Sequence, residues 1–245
     1  MLRPMLEHID VAMTPNEAQA LEPAQAYVVI DALRATTTIA ALFSRRLRRL
    51  RVVSTLDAAR SFRASGATLL GETGGLRPEG FDYGNSPAEA AALDWTGREA
   101  VLVTSNGTKA ICAVAGMGAV AAGSLVNLSA LAEWASDYER LMVVCAGEAG
   151  ARTFALEDFA VAACLVAALR QTAPEAALGD GALVALELTE PRRFIGLAGH
   201  AEVTRRLGFA SDLAFATTQD RAPALPIVVE HGDGWAMLED RLATD

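Results

Sequence analysis

Residues 26–46, AYVVIDALRATTTIAALFSRR, contain the unit on which the fold turns. Residues 26–33 form an apolar, β-branched run of the length of a buried strand. Residues 36–46 then carry apolar positions at helical spacing. Between the two stand Asp31, Arg34 and a run of threonines, where a strand hands over to a helix. The same alternation recurs along the chain. Apolar runs at 50–55, 67–72, 99–105, 118–125 and 140–147 read as strands. Helical patterns follow them, notably 107–116, 127–138 with Asn127 as N-cap, and 157–171. Continuous apolar strands alternating with helices predict an α/β fold, a mostly parallel sheet with helices on both faces. Beyond about residue 172 the rhythm loosens. We expect a C-terminal α-rich extension over 172–245, packed on the same sheet within a single domain of residues 1–245, with a terminal strand or hairpin over 224–238.

The bulk numbers narrow the function. Over 245 residues, 52% hydrophobic content suffices for a sizeable core, and the mean hydropathy is +0.26. No apolar run reaches the 18 or so residues of a membrane span, and the first fourteen residues lack the pattern of a secretory leader. Three cysteines without metal-type spacing fit a reducing, cytoplasmic setting. His8, His200 and His231 lie far apart in sequence, which argues against a zinc motif. The net charge of −9 speaks against nucleic acid as a partner. The basic cluster RRLRRLR at 45–51 reads as a solvated edge near a helix end. An acidic chain that handles anions must concentrate its few cations locally, so each loop Arg or Lys gains weight.

Polar residues collect after the strands, where a doubly wound sheet places its ligand crevice. The first strand ends in DALRATTT, the third in GETGG, the fourth in TSNGTK and the sixth in CAGEAGARTFALED. Threonines suit helix starts, where hydroxyl and backbone N–H can hold an oxyanion. In the long Gly-rich stretch 71–90, Ser86-Pro87-Ala88-Glu89 reads as a capping box that opens a helix. Lys109 is the sole lysine of the chain. Asp31, Glu72, Glu148, Glu157 and Asp158 all follow strands, and Mg²⁺ favours one or two carboxylates with waters and phosphate oxygens. Glu157 and Asp158 diverge by about 100° on a helix, so the two do not easily share one crevice.

Common phosphate motifs fail. A D-x-D nucleophile pair would need a second acid at Leu33. Six residues separate Cys145 from Arg152, where a cysteine phosphatase needs five, so Cys145 reads as a small buried thiol. GMGAVA (116–121) leaves a helix and enters a strand, the reverse of a dinucleotide site. G-x-S-x-G and P-loop patterns are absent from the sequence.

DALRATTTI, GETGGLRPEGFDYGNSPAE, TSNGTKA and CAGEAG…FALED, in this order, resemble the motif set of the 2-phosphosulfolactate phosphatase family over residues 26–165. The resemblance implies a Mg²⁺-dependent acid phosphatase with its own α/β fold. It implies conversion of 2-phosphosulfolactate to 3-sulfolactate, a step towards coenzyme M; a homodimer is the default expectation for a cytoplasmic enzyme. Asp31, Glu72 and Asp158 would be the catalytic and metal-holding acids. Arg34, Lys109 and Arg77 would bind sulfonate or carboxylate, and the helix starts at Thr36, Ser86 and Thr108 would hold oxyanions. Thr37, Asn85, Asn106 and Gly107 complete the expected substrate site. Either Asp31 is phosphorylated or an acid activates water for in-line attack, and the missing D-x-D acid favours water. The alternatives are a phosphatase for another phosphorylated hydroxy acid, a non-catalytic binder of phosphorylated or sulfonated carboxylates, and a structural domain in which these loops are plain turns.

Overall fold

A computed structural model describes residues 6–243. Residues 1–5, the start of the stretch read as carrying no leader, and 244–245 lie outside the described residues. The chain runs β1 (His8–Ala12), α1 (Pro15–Ala20), β2 (Ala26–Ile30), α2 (Ala35–Ser44), β3 (Arg49–Val53), α3 (Leu56–Ser61) and β4 (Thr68–Gly71). It continues through α4 (Pro87–Ala92), β5 (Glu99–Val103), α5 (Gly107–Val114), β6 (Ala119–Gly123), α6 (Leu128–Ala135), β7 (Arg140–Cys145) and α7 (Leu156–Thr172). Last come β8 (Ala177–Leu178), α8 (Asp180–Glu187), α9 (Pro191–Leu197), α10 (Gly199–Arg206), α11 (Ala210–Ala216), β9 (Pro226–Gly232) and β10 (Trp235–Asp240).

The six strands read from apolar runs all form, as β2 to β7. Among the described residues, ten strands make one sheet in the order β4-β5-β3-β10-β9-β6-β2-β7-β1-β8. β4, β5 and β3 form one parallel block, and β6, β2, β7, β1 and β8 another. The hairpin β9–β10 joins them through antiparallel pairings with β6 and β3. The expected α-rich extension is present as α8–α11. The terminal hairpin, however, inserts at the middle of the sheet, because two parallel blocks would otherwise each leave an unpaired edge.

The two blocks curl around helices. α5 touches β2 and β6 on one side and β3 and β10 on the other, while α2 touches β6 and β9. Tyr27, Val29, Leu50, Val52, Leu102, Ile39 and Leu42 pack there as one buried cluster. On the outer face of the larger block, Val28, Ile30 and Val143 meet α7, whose side chains from Glu157 to Val166 are all buried. A helix apolar around most of its girth needs cover on every side, and α6, α8 and α9 supply it.

Local signals fix the entries to several helices. Thr14, Thr55 and Ser86 each accept from the backbone N–H three residues on. Asn127 stands at the N-cap of α6 as read, but its side chain makes no bond there and instead closes the short 3-10 turn Leu125–Asn127. Its Oδ1 accepts from Ser124 N, and its Nδ2 donates to the carbonyls of Ala122 and Ala224. It thereby ties β6 to the segment entering β9. The basic run follows α2 as read, with Arg49 paired to Glu239 and Arg48 near Glu99. Among the described residues, no helix is long and apolar enough to cross a membrane.

Candidate active site

A cleft of about 350 Å³ opens where the carboxyl ends of both blocks converge. It is lined by Asp31 after β2, Glu72 after β4, Ser105 and Asn106 after β5, and Gly150 in the loop after β7. Val203, Thr204 and Leu207 of the α10 region close it from above. The curl of the sheet thus brings together strand ends that lie far apart in strand order.

Asp31 sits at the floor, 7% exposed. Its Oδ1 accepts from Ala35 N at the start of α2 (3.0 Å). Gly107 packs so close that a Cβ there would stand 2.6 Å from Asp31 Oδ2 and 2.5 Å from Ala35 Cβ. Only glycine leaves room for α5 to approach α2. Burial, reinforced by the charges of Glu72 and Glu157, pushes Asp31 up to about 6 against the pull of Ala35 N–H and His200.

The expected metal acids divide. Glu72 lines the cleft, its two oxygens accepting from Gly75 N (2.8 Å) and Ser105 N (2.6 Å). Asp158 does not line the cleft. Its oxygens accept from Ala32 N (2.8 Å) and Gly147 N (3.0 Å), so it pins the loops after β2 and β7 to each other. Burial and the Asp31 charge push Asp158 well above the usual carboxylate range. Its neighbour Glu157 points elsewhere, as the helical angle requires, and meets His200 Nδ1. His200 Nε2 lies 3.7 Å from Glu148. The Glu157 hydrogen bond and the charges of Glu157, Glu148 and Asp31 raise His200 to about 9, although burial opposes this. Glu148, Glu157 and His200 each offer a ligand atom within 4.8 Å of the others, and Glu157 Oε2 is buried with no hydrogen-bond partner. His200 escaped the sequence reading because it sits on α10, with no local motif to mark it.

Among the cations, Arg34 alone of Arg34, Arg77 and Lys109 lines the cleft. Its Nη1 pairs with Asp212 Oδ2 (2.7 Å), its Nη2 donates to Gly75 O (2.8 Å), and Phe209 covers the guanidinium at 4.4 Å. Both partners are almost wholly buried, so removing either leaves a stranded charge at a cost of about 3–5 kcal/mol. Arg77 is exposed and donates to Asp82 O. Lys109 is also exposed, with Nζ near Gly150. Asn85 lines the cleft, 3% exposed, with its Oδ1 unpartnered. Asn106 Oδ1 accepts from Gly150 N (2.9 Å) and Ala151 N (3.3 Å), fixing the loop after β7.

The threonines expected as oxyanion donors turn inward. Thr36 Oγ1 bonds Asp31 O and N, and Thr37 Oγ1 bonds Ala32 O and Ser124 Oγ. Thr108 Oγ1 bonds Thr104 O and N. These hydroxyls shape the turns that present Asp31 and Asn106. Ser86 caps α4 as read, but the start of that helix already holds a carboxylate. Asp212 Oδ1 accepts from Ser86 Oγ (2.5 Å) and Ala88 N (3.3 Å). Cys145 is fully buried, and burial raises its thiol well above the usual range.

A family model described as 2-phosphosulpholactate phosphatase matches residues 12–231, nearly the whole chain. The chain belongs to the 2-phosphosulpholactate phosphatase family. A probable 2-phosphosulfolactate phosphatase of Thermotoga petrophila is 37% identical over 226 residues, covering 90% of this chain and 95% of the relative. Relatives described in the same words from Thermus thermophilus and Deinococcus radiodurans are 35% and 34% identical, covering 82% and 84% of this chain and 86% and 88% of their own. The family match spans every strand that reaches the cleft, and also α10 and α11, which bring His200 and Asp212.

Proposed function

We propose that the chain is a Mg²⁺-dependent phosphomonoesterase that hydrolyses 2-phosphosulfolactate to 3-sulfolactate and phosphate. Family membership supports the reaction class. The observation that carries the site assignment is the crowd of carboxylates facing one imidazolium in the cleft. Burial first, and then the charges of Glu72 and Glu157, raise Asp31 to about 6. Carboxylate oxygens suit a hard divalent cation, and the oxygen of Glu157 left without a partner would join Asp31 and Glu72 in holding one. Asp31 and Glu72, which line the cleft, would hold it, while Asp158 anchors the loops around them. When bound, such a cation neutralises phosphoryl oxygens and favours in-line displacement.

The chain's own groups do the rest. Water attacks phosphorus and gives up one proton to Asp31, at the floor of the cleft, the ester P–O bond breaks, and the departing hydroxy-acid oxygen needs a proton. His200, held as imidazolium with Nδ1 on Glu157, supplies one from Nε2. Arg34 and Asn85 bind the remaining anionic groups, and Asn106 holds the wall opposite. The α10 segment keeps bulk water away. Phosphate release from racemic 2-phosphosulfolactate, with Mg²⁺ and then EDTA, tests this against a panel of other phosphomonoesters. We expect Mg²⁺-dependent release from the sulfonated ester. Release from another ester alone would overturn the substrate, and ligand binding without any turnover would make the chain a binding protein.

A further inference from the structure

The C-terminal helices place a buried carboxylate, Asp212, behind Arg34, the arginine that lines the cleft. Asp212 is 0% exposed and holds three groups from two segments: Arg34 Nη1 on Oδ2, and Ser86 Oγ and Ala88 N on Oδ1. Gly75 O takes one N–H of Nη2, and Phe209 covers one face of the guanidinium. Gly75, at φ +83°, lies against Leu207, whose Cδ1 would be 2.6 Å from any Cβ there. Two of the five guanidinium N–H groups are therefore committed, and the side chain cannot swing. What remains is an oriented donor edge on a residue that lines the cleft beside Asp31 and Asn85.

A pair that cancels its own charge offers direction more than net attraction. Such an edge suits an oxyanion that offers two oxygens to two parallel N–H bonds, and suits a spherical or singly bonded anion less. We propose that Asp212 is a positioning residue: it presets Arg34 to read the second anionic group of the substrate, carboxylate or sulfonate, so that α11 sets selectivity among phosphomonoesters. This rests on the phosphatase reading above. Asp212 itself touches no substrate atom.

The test uses the full chain and the variants Asp212→Asn and Ser86→Ala, with melting temperatures as the folding control. Three esters are compared: 2-phosphosulfolactate, 2-phospholactate, which lacks the sulfonate, and the phosphate ester of 2-hydroxyethanesulfonate, which lacks the carboxylate. For Asp212→Asn we expect KM for the intact substrate to rise about tenfold or more while kcat changes less than about threefold. Ser86→Ala should move KM the same way by less. The KM penalty should vanish on the ester that lacks the group Arg34 reads, which says whether that group is sulfonate or carboxylate. An equal fall in kcat and kcat/KM, or the same penalty on all three esters, would overturn the proposal. If the unmodified chain turns over none of them, the phosphatase reading fails. Calorimetric binding of 3-sulfolactate then decides: weaker binding to Asp212→Asn supports the positioning role, whereas equal binding, or none to the unmodified chain, removes it.

Discussion

At the scale of single residues, the site holds a buried carboxylate, Asp31, and an imidazolium, His200, whose charge Glu157 supports. Asp31 sits where burial and neighbouring carboxylates disfavour its charge, and its loss should be severe. We expect Asp31→Asn to lower kcat by about a hundredfold or more at unchanged fold, measured by steady-state phosphate release. His200 depends on Glu157 for its charge. In Glu157→Gln the imidazolium loses its hydrogen-bonded anion, so its pKa should fall from about 9 toward the free value of 6.5. A step that needs the protonated ring then fails at lower pH, moving the alkaline limb of kcat/KM down by about one to three units. An unmoved alkaline limb would assign that limb to another group.

At the scale of elements, the approach of α5 to α2 decides where Asp31 and Asn106 stand. A methyl at Gly107 must displace Ala35 or Asp31. Gly107→Ala should therefore cost about 1–3 kcal/mol in denaturant unfolding. It should lower kcat more than that loss of stability alone explains, since about 1 Å of misplacement can cost a hundredfold. Asn127 is the second joint. Asn127→Ala strips partners from Ser124 N and from the carbonyls of Ala122 and Ala224 in a buried setting. We expect at least about 2 kcal/mol of destabilisation in urea, from unpaired groups worth about 1–3 kcal/mol each. A change within a few tenths would mean that water replaces all three bonds.

At the scale of the whole molecule, the β9–β10 hairpin holds two parallel blocks in one sheet. Deleting residues 226–240 exposes the edges of β3 and β6 and should abolish cooperative thermal unfolding by circular dichroism. The cleft also leaves a mark on global stability. His200 is raised from 6.5 to about 9, so between those values the folded chain binds more protons than the unfolded one. Its contribution is complete below about pH 6.5 and is lost as pH rises through about 9. In EDTA the melting temperature should accordingly fall across that window, and His200→Gln should flatten the slope.

Much of the fold was legible because its signals are local. Apolar β-branched runs read as strands and became β2 to β7, and Ser86, read as a cap, accepts from Glu89 N at the start of α4. The carboxyl-end rule placed Asp31, Glu72, Asn106 and Glu148 near one another before any coordinates. β1 and the two-residue edge strand β8 were not read from the sequence. The roles of the threonines were legible only as hydroxyls at turns, since donor to a ligand and donor to the adjacent carbonyl look identical in sequence. By itself, then, the sequence determined the elements, their α/β alternation and the crevice end of the strands, because propensity and periodicity act over a few residues. Tertiary structure alone decided that the last hairpin fills the sheet centre and that His200 and Asp212 join the cleft. It alone decided, too, that Arg34 rather than Arg77 or Lys109 faces it, because contacts spanning 43 to 178 residues are set by packing and not by neighbouring chemistry.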